Sequence, residues 1–299
     1  MGAIRTKNLT KKFGQNAAIK NVCIDIIPGS ITGFLGPNGA GKSTTMNILM
    51  GFIKATSGYA YIFGKEVSVS NPATRKHIGF LSNSTALDGS LTVRQELEYF
   101  GRLGGNYDPD YTSELVKKLN LDLTKKISSL STGNYQKVAL VIALMGKPKL
   151  LILDEPTNGL DPLIQAEFNL IIFDLKDSGS TIFISSHILS EVEELCDNFI
   201  FIRGGEIVAA KTRAELAESS QKFITIETKH SSKLSDELLR TFGHAAQFKP
   251  SSDGVLSFTL SGDFKPLFKI LAKYKITNIT IEASSLEDSF MKYYEDDHA

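Results

Sequence analysis

SITGFLGPNGAGKSTTMNILMGF, residues Ser30–Phe52, decides the fold class. Ser30 to Leu35 is short, apolar and β-branched, as a buried strand is. Gly36-Pro37-Asn38-Gly39-Ala40-Gly41-Lys42-Ser43-Thr44 then fits GxxxxGK[ST], and an apolar-periodic stretch from Ser43 to about Phe52 predicts a helix. The chemistry needs this order. Glycines let the backbone curl so that successive N–H groups face phosphate oxygens, and the helix N-terminus adds partial positive charge. Lys42 is placed to meet the β- and γ-phosphates of a nucleotide, and the Ser43 hydroxyl to ligate Mg²⁺.

Working outward, Lys149–Leu153 (KLLIL) and Thr181–Ser185 (TIFIS) are continuous apolar runs, expected of strands buried on both faces. Pro162 to about Asp177 predicts a helix between them, with proline near its start. Strand, helix, strand repetition implies an α/β fold with parallel strands. The run Leu150–Leu153 ends in Asp154-Glu155, two carboxylates delivered to the strand end where ligands sit in such folds. Asp154 is suited to hold Mg²⁺ directly or through water, and Glu155 to polarise an attacking water.

A composition shift follows Ala217 (ESSQK). Beyond it, Phe223–Thr228, Val255–Leu260 and Ile276–Ile281 read as strands, separated by helical patterns at Leu234–Thr241, Pro266–Lys273 and Leu286–Tyr293. The expectation is a domain over residues 1–217 and a small α+β domain over 218–299.

The balance of charge bears on partners. Lys plus Arg number 33 and Asp plus Glu 33, which removes the footprint of a non-specific nucleic-acid binder. Cys23 and Cys196 lack CxxC spacing and read as small core residues in a reducing compartment. The longest apolar run, Val138–Met145, is far short of the ~20 residues of a membrane span, so a membrane role requires a partner.

A phosphate loop serves many NTPases, and Leu130-Ser131-Thr132-Gly133-Asn134-Tyr135-Gln136 narrows the class. It resembles the LSGGQ signature of the nucleotide-binding subunits of ABC transporters, in the family's order before Asp154. The resemblance extends from Ile4 to about Ala217 and implies a P-loop NTPase domain of ABC type, with a helical subdomain over about 84–145. It implies that Ser131 and Gly133 cap the γ-phosphate of ATP bound to a partner subunit, so ATP would be part of a homodimer or heterodimer interface. It further implies that Asp161 of Asn158-Gly159-Leu160-Asp161 couples the two sites, that His187 contacts the γ-phosphate and water, and that Phe13 stacks on adenine. A core position for Phe13 is the competing reading.

Two positions depart from the family's pattern. Asn83 stands where the Q-loop glutamine is usual and is the third candidate Mg²⁺ residue with Ser43 and Asp154; it is one methylene shorter than glutamine, so direct contact with Mg²⁺ or the lytic water is lost or bridged by water. Thr132 replaces the signature's first glycine, a minor change. The segment Asn83–Phe100 is expected to receive a helix of an integral-membrane permease, or to be a solvated helical surface. The small C-terminal domain, ending in Ser285-Leu286-Glu287-Asp288-Ser289-Phe290, resembles bacterial exporter ATPases for drugs or antimicrobial peptides. The implied protein is an ATPase using ATP and Mg²⁺ to energise a separate permease, cytoplasmic and peripheral on the inner face of the membrane. The alternative is an ATP-gated regulatory member of the superfamily with weak hydrolysis.

Overall fold

The computed structural model describes residues 2–71, 75, 77–82, 85–104, 107–219, 222–243, 247–249, 254–260 and 262–283. Asn83, Ser285–Phe290 and the helical pattern Leu286–Tyr293 lie outside the described residues. Two compact units are formed, Met1–Arg213 and Ala214–Ala299. The division falls at the start of the helix that carries Ala217.

Along the first unit run β1 (Ile4–Phe13), β2 (Asn16–Val22), β3 (Asp25–Ile26), β4 (Ile31–Leu35), α1 (Lys42–Leu49), β5 (Ser57–Ile62), β6 (Lys65–Glu66) and β7 (Ile78–Leu81). Then come α2 (Val93–Gly104), α3 (Pro109–Lys118), α4 (Thr132–Leu144), β8 (Leu150–Asp154), α5 (Pro162–Asp177), β9 (Thr181–Ser186), α6 (Leu189–Glu193), β10 (Asn198–Arg203) and β11 (Glu206–Thr212). Among the described residues, β2-β1-β5-β6 form an antiparallel sheet, with β3 also on β1. The second sheet has the order β11-β10-β4-β9-β8-β7, parallel except for the edge pair β10–β11. Strands β4, β8 and β9 are buried at every position, which their unbroken apolar runs require.

Helix boundaries follow local chemistry. Ser131, Asp108 and Asp161 cap α4, α3 and α5, each side chain accepting a backbone N–H of the first turn. Pro109 and Pro162 begin their helices, where a missing N–H costs nothing. Helix α1 ends at Leu49, three residues short of the expected Phe52. Gly51 adopts φ 64°, donating to Ile48 O at 2.8 Å, while Phe52 N donates to Asn47 O at 2.9 Å. This paired closure needs a left-handed residue, and glycine adopts it without strain.

The second unit begins in α7 (Arg213–Ser219) and continues as β12 (Lys222–Thr228), α8 (Ser231–Phe242), β13 (Gln247–Lys249), β14 (Val255–Leu260), α9 (Lys265–Leu271) and β15 (Ile276–Ala283). Its sheet has the order β13-β14-β12-β15, antiparallel at every pairing. Strand β14 lies between β12 and β13, so the two strands joined through α8 are not neighbours, a split βαβ arrangement. Ile224, Ile226 and Phe258 form its core with Leu234, Leu238 and Leu267 of the helices.

Packing in the first unit centres on rings such as Phe34 and Phe183, whose centroids lie 5.2 Å apart on adjacent strands. Truncation there leaves a cavity that the fully paired sheet cannot collapse to fill. Phe183→Ala is expected to cost about 3–5 kcal/mol in chemical denaturation. Leu163→Ala, at an exposed position of α5, should stay within about 0.5 kcal/mol of the parent.

Candidate functional site

The phosphate-binding segment is the link from β4 to α1, and its backbone is set by close approach. Gly39 and Gly41 adopt φ 81° and 107°. A Cβ at Gly41 would lie 2.5 Å from Ile19 Cγ2 and 2.7 Å from the Ala18 carbonyl oxygen of β2. Ala40 N donates to Pro37 O at 3.1 Å, closing the loop on itself. The antiparallel sheet therefore backs the loop and holds it against the parallel one.

Sheet register then gathers the other groups. Leu35 of β4 pairs with Ser186 of β9, and Ser185 of β9 pairs with Asp154 of β8. The residues that follow these strand ends, Gly36, His187 and Glu155, emerge at one edge. Glu155 has φ 49°, an αL turn that leaves the strand direction, and its N–H donates to Ser185 Oγ at 3.0 Å. Ser185 Oγ donates in turn to Asp154 Oδ1 at 2.6 Å. Both partners of that bond are buried.

Three sequence-predicted groups meet here. Lys42 Nζ lies 3.2 Å from Glu155 Oε1, and His187 Nδ1 lies 2.9 Å from Glu155 Oε2. Lys42 also donates to Gly36 O at 2.6 Å and Pro37 O at 3.3 Å. Asn158 Nδ2 donates to Glu155 Oε2 at 3.2 Å. The Lys42 and Glu155 side chains are only 4% and 10% exposed, so the pair is held in a low dielectric where each charge needs its partners.

Over this cluster opens a cleft of about 390 Å³. Pro37, Asn38, Gly39, Gly41, Lys42, Ser43 and Thr44 line it, together with Ala18, Glu155 and Asn158. Backbone N–H groups, a helix N-terminus, an ammonium and a carboxylate can together accept a polyphosphate and orient a water beside it. The donor set fits Mg²⁺: the exposed Ser43 hydroxyl on the wall and the Asp154 carboxylate behind it are hard oxygen donors. Asp154 is not a wall residue of the cleft, so its reach to a cation there would run through water.

Phe13 ends β1 and is 52% exposed, with Lys11 Nζ 4.8 Å from its ring centroid. It is therefore not a core residue. Ser131 and Gly133 begin α4 with Ser131 and Thr132 exposed, and neither Ser131 nor Gly133 lines the cleft among the described residues. A Cβ at Gly133 would lie 2.5 Å from Gly159 O, so only glycine admits this contact between α4 and the loop after Glu155. Gln136 Nε2 donates to Pro156 O at 3.2 Å, reinforcing it. Asp161 accepts from Ile164 N at 3.1 Å as the cap of α5.

Ser185 was not legible as a site residue. In the sequence it is an ordinary serine at a strand end, and only pairing of β8 with β9 gives it two roles.

The family model described as ABC transporter matches residues 19–158. A second, described as an AAA domain and putative AbiEii toxin of a type IV TA system, matches residues 126–193. The bacitracin transport ATP-binding protein BcrA of Bacillus licheniformis is 32% identical over 295 residues, 97% of this chain and 96% of that protein. The lantibiotic transport ATP-binding protein SrtF of Streptococcus pyogenes is 38% identical over 70% of this chain and 90% of its own length. Among solved structures, a dimeric post-hydrolysis state of an ATP-binding cassette bound to ADP and Pi aligns with TM-score 0.64 and 26% identity. That alignment covers 70% of this chain and 98% of the other.

Ser185→Ala tests the carboxylate support. It leaves the Glu155 N–H without its acceptor and Asp154 without its donor, at a cost of about 1–3 kcal/mol. ATP hydrolysis is expected to fall at least tenfold while nucleotide affinity changes little, read by phosphate release and by titration with a fluorescent ATP analogue.

Proposed function

Because the chain belongs to the ABC transporter family as an ATP-binding ATPase subunit similar to antimicrobial and multidrug exporter subunits, we propose that it powers export of a drug, antimicrobial peptide or other amphiphile through a separate membrane permease. No described helix is long and apolar enough to cross a membrane; in this reading the translocation path belongs to the partner. The subunit then works from the cytoplasmic face, held there by that partner.

The observation that carries this reading is the convergence of Lys42 and His187 on Glu155 at the wall of the phosphate-loop cleft, with Ser131 and Gly133 outside it. Backbone N–H groups of the loop and the first turn of α1, from Gly39 and from Gly41 to Thr44, bind the phosphates, and Lys42 exchanges its protein acceptors for β- and γ-phosphate oxygens. Ser43, with Asp154 through water, would hold Mg²⁺, whose charge offsets that of the phosphates. Glu155, freed from Lys42, orients and deprotonates the attacking water, while His187 steadies that carboxylate and meets the γ-phosphate. Phe13 stacks on the adenine. Ser131 and Gly133 meet a second subunit's ATP, so two copies, or this chain and a related one, close as a sandwich. The helix-dipole charge at the N-terminus of α4 favours the anion it meets there.

Closure follows from linkage. γ-Phosphate contacts made only in the closed dimer shift the population toward it, and hydrolysis removes them. That cycle is what a permease can use.

Glu155→Gln keeps the shape of the side chain and removes the base. Its mass in solution is expected to double on adding Mg-ATP, whereas the same variant also carrying Lys42→Ala should remain a monomer. Light scattering on both, with and without nucleotide, decides this; ATP-independent mass in the single variant would refute the sandwich.

A further inference from the structure

Tyr135 lies within the signature-like segment, yet the sandwich gives it no task. Its hydroxyl donates to Thr85 O at 2.8 Å and accepts from Leu87 N at 2.7 Å. Both lone-pair and proton capacity are used, on the connection between β7 and α2. Thr85 continues the link: its hydroxyl donates to Ser82 O at 2.8 Å and accepts from Ser82 N at 3.2 Å. Ser82 directly follows β7, the edge strand paired with β8. One residue past Leu87, Asp88 N donates to Oε1 of the buried Glu96 on α2 at 3.0 Å. The connection is thus gripped from α4 and from α2.

The neighbouring residue grips a different loop. Gln136 Nε2 reaches Pro156 O at 3.2 Å and Glu155 O at 3.4 Å, in the turn that holds the candidate base. Consecutive side chains on the first turns of α4 therefore tie the connection after β7 to the turn after β8. Ser131 and Gly133 sit at the start of the same helix. A phenol suits this position because it donates and accepts at the end of a rigid ring, whereas Lys or Arg only donates and Phe does neither.

We propose that Tyr135 is a positioning residue: its hydroxyl locks the segment Thr85–Asp88 ahead of α2 to the start of α4, so that displacement of that segment moves Ser131, Gly133 and the Glu155 turn together. The proposal rests on the ATP sandwich and adds the side chain that sets its geometry.

Tyr135→Phe in the full-length chain removes the hydroxyl and keeps the ring. In the Glu155→Gln background, the Mg-ATP concentration for half-maximal dimerisation is expected to rise about tenfold, since Leu87 N–H loses its acceptor. In the otherwise unaltered chain, kcat should fall by a similar factor. Affinity of the monomer for a trinitrophenyl-ATP probe should stay within about twofold, because the phosphate loop is untouched. Unchanged dimerisation and kcat, even with a lower melting temperature, would make Tyr135 a stability residue and overturn the proposal. Equal losses in probe affinity and kcat would also overturn it, as general weakening of the fold. If Glu155→Gln alone binds the probe but never dimerises, the sandwich fails first and this inference with it.

Discussion

The parallel register of β4, β9 and β8 is the constraint on which the site depends. Leu35 opposite Ser186 and Ser185 opposite Asp154 bring three strand ends level, and each next residue carries chemistry: Gly36, His187 and Glu155. A slip of one residue in any pair would turn these groups to the other face. The slip is prevented by burial on both sides of each strand, because no face is free to accept a misplaced polar residue. Catalytic geometry is thus a by-product of core packing, and the same aromatic contacts that hold the sheet hold the carboxylates.

Before nucleotide enters, the buried charges satisfy one another. Lys42 has two carbonyls and a carboxylate, and Glu155 has an ammonium, an imidazole and an amide. Leaving either charge alone in this environment would cost several kcal/mol. In the proposed mechanism a polyphosphate draws Lys42 away from these partners rather than merely adding to them. Displacement of Lys42 toward phosphate would release one oxygen of Glu155, so that a base would become available when there is something to hydrolyse. Asn158 and His187 remain to hold the other oxygen in place.

Much of this was legible because the sequence signals were of two robust kinds. Unbroken apolar runs marked β4, β8 and β9, while Pro162 marked a helix start that the structure keeps for α5. The phosphate loop was legible because glycine spacing encodes backbone shape directly. Less was visible where pairing partners are distant. The antiparallel sheet built on β1 alternates short polar and apolar positions, and nothing local says that Ala18 and Ile19 will back the glycine at position 41. Ser185 and Tyr135 fall in the same class, since their bonds span 31 and 50 residues of sequence. The arrangement of the second unit was likewise hidden: three of its strands were apparent, but the short β13 was not, and the insertion of β14 between β12 and β13 is a matter of pairing.

The start of α4 is where these separate constraints meet. Its N-cap faces outward, which leaves the helix N-terminus open to an incoming anion. Its first turns nevertheless touch the loop after Glu155 through the Gly133–Gly159 approach and the Gln136 amide. A group that approaches Ser131 from outside thus loads a helix that is already braced against the turn carrying Glu155. Because packed interiors shift between discrete arrangements rather than stretch, such a load would, in the proposed coupling, move the helix and the turn as a unit. Contact at the exposed end and chemistry at the buried one would then be two readings of a single displacement, and neither requires the Glu155 side chain itself to reach the surface.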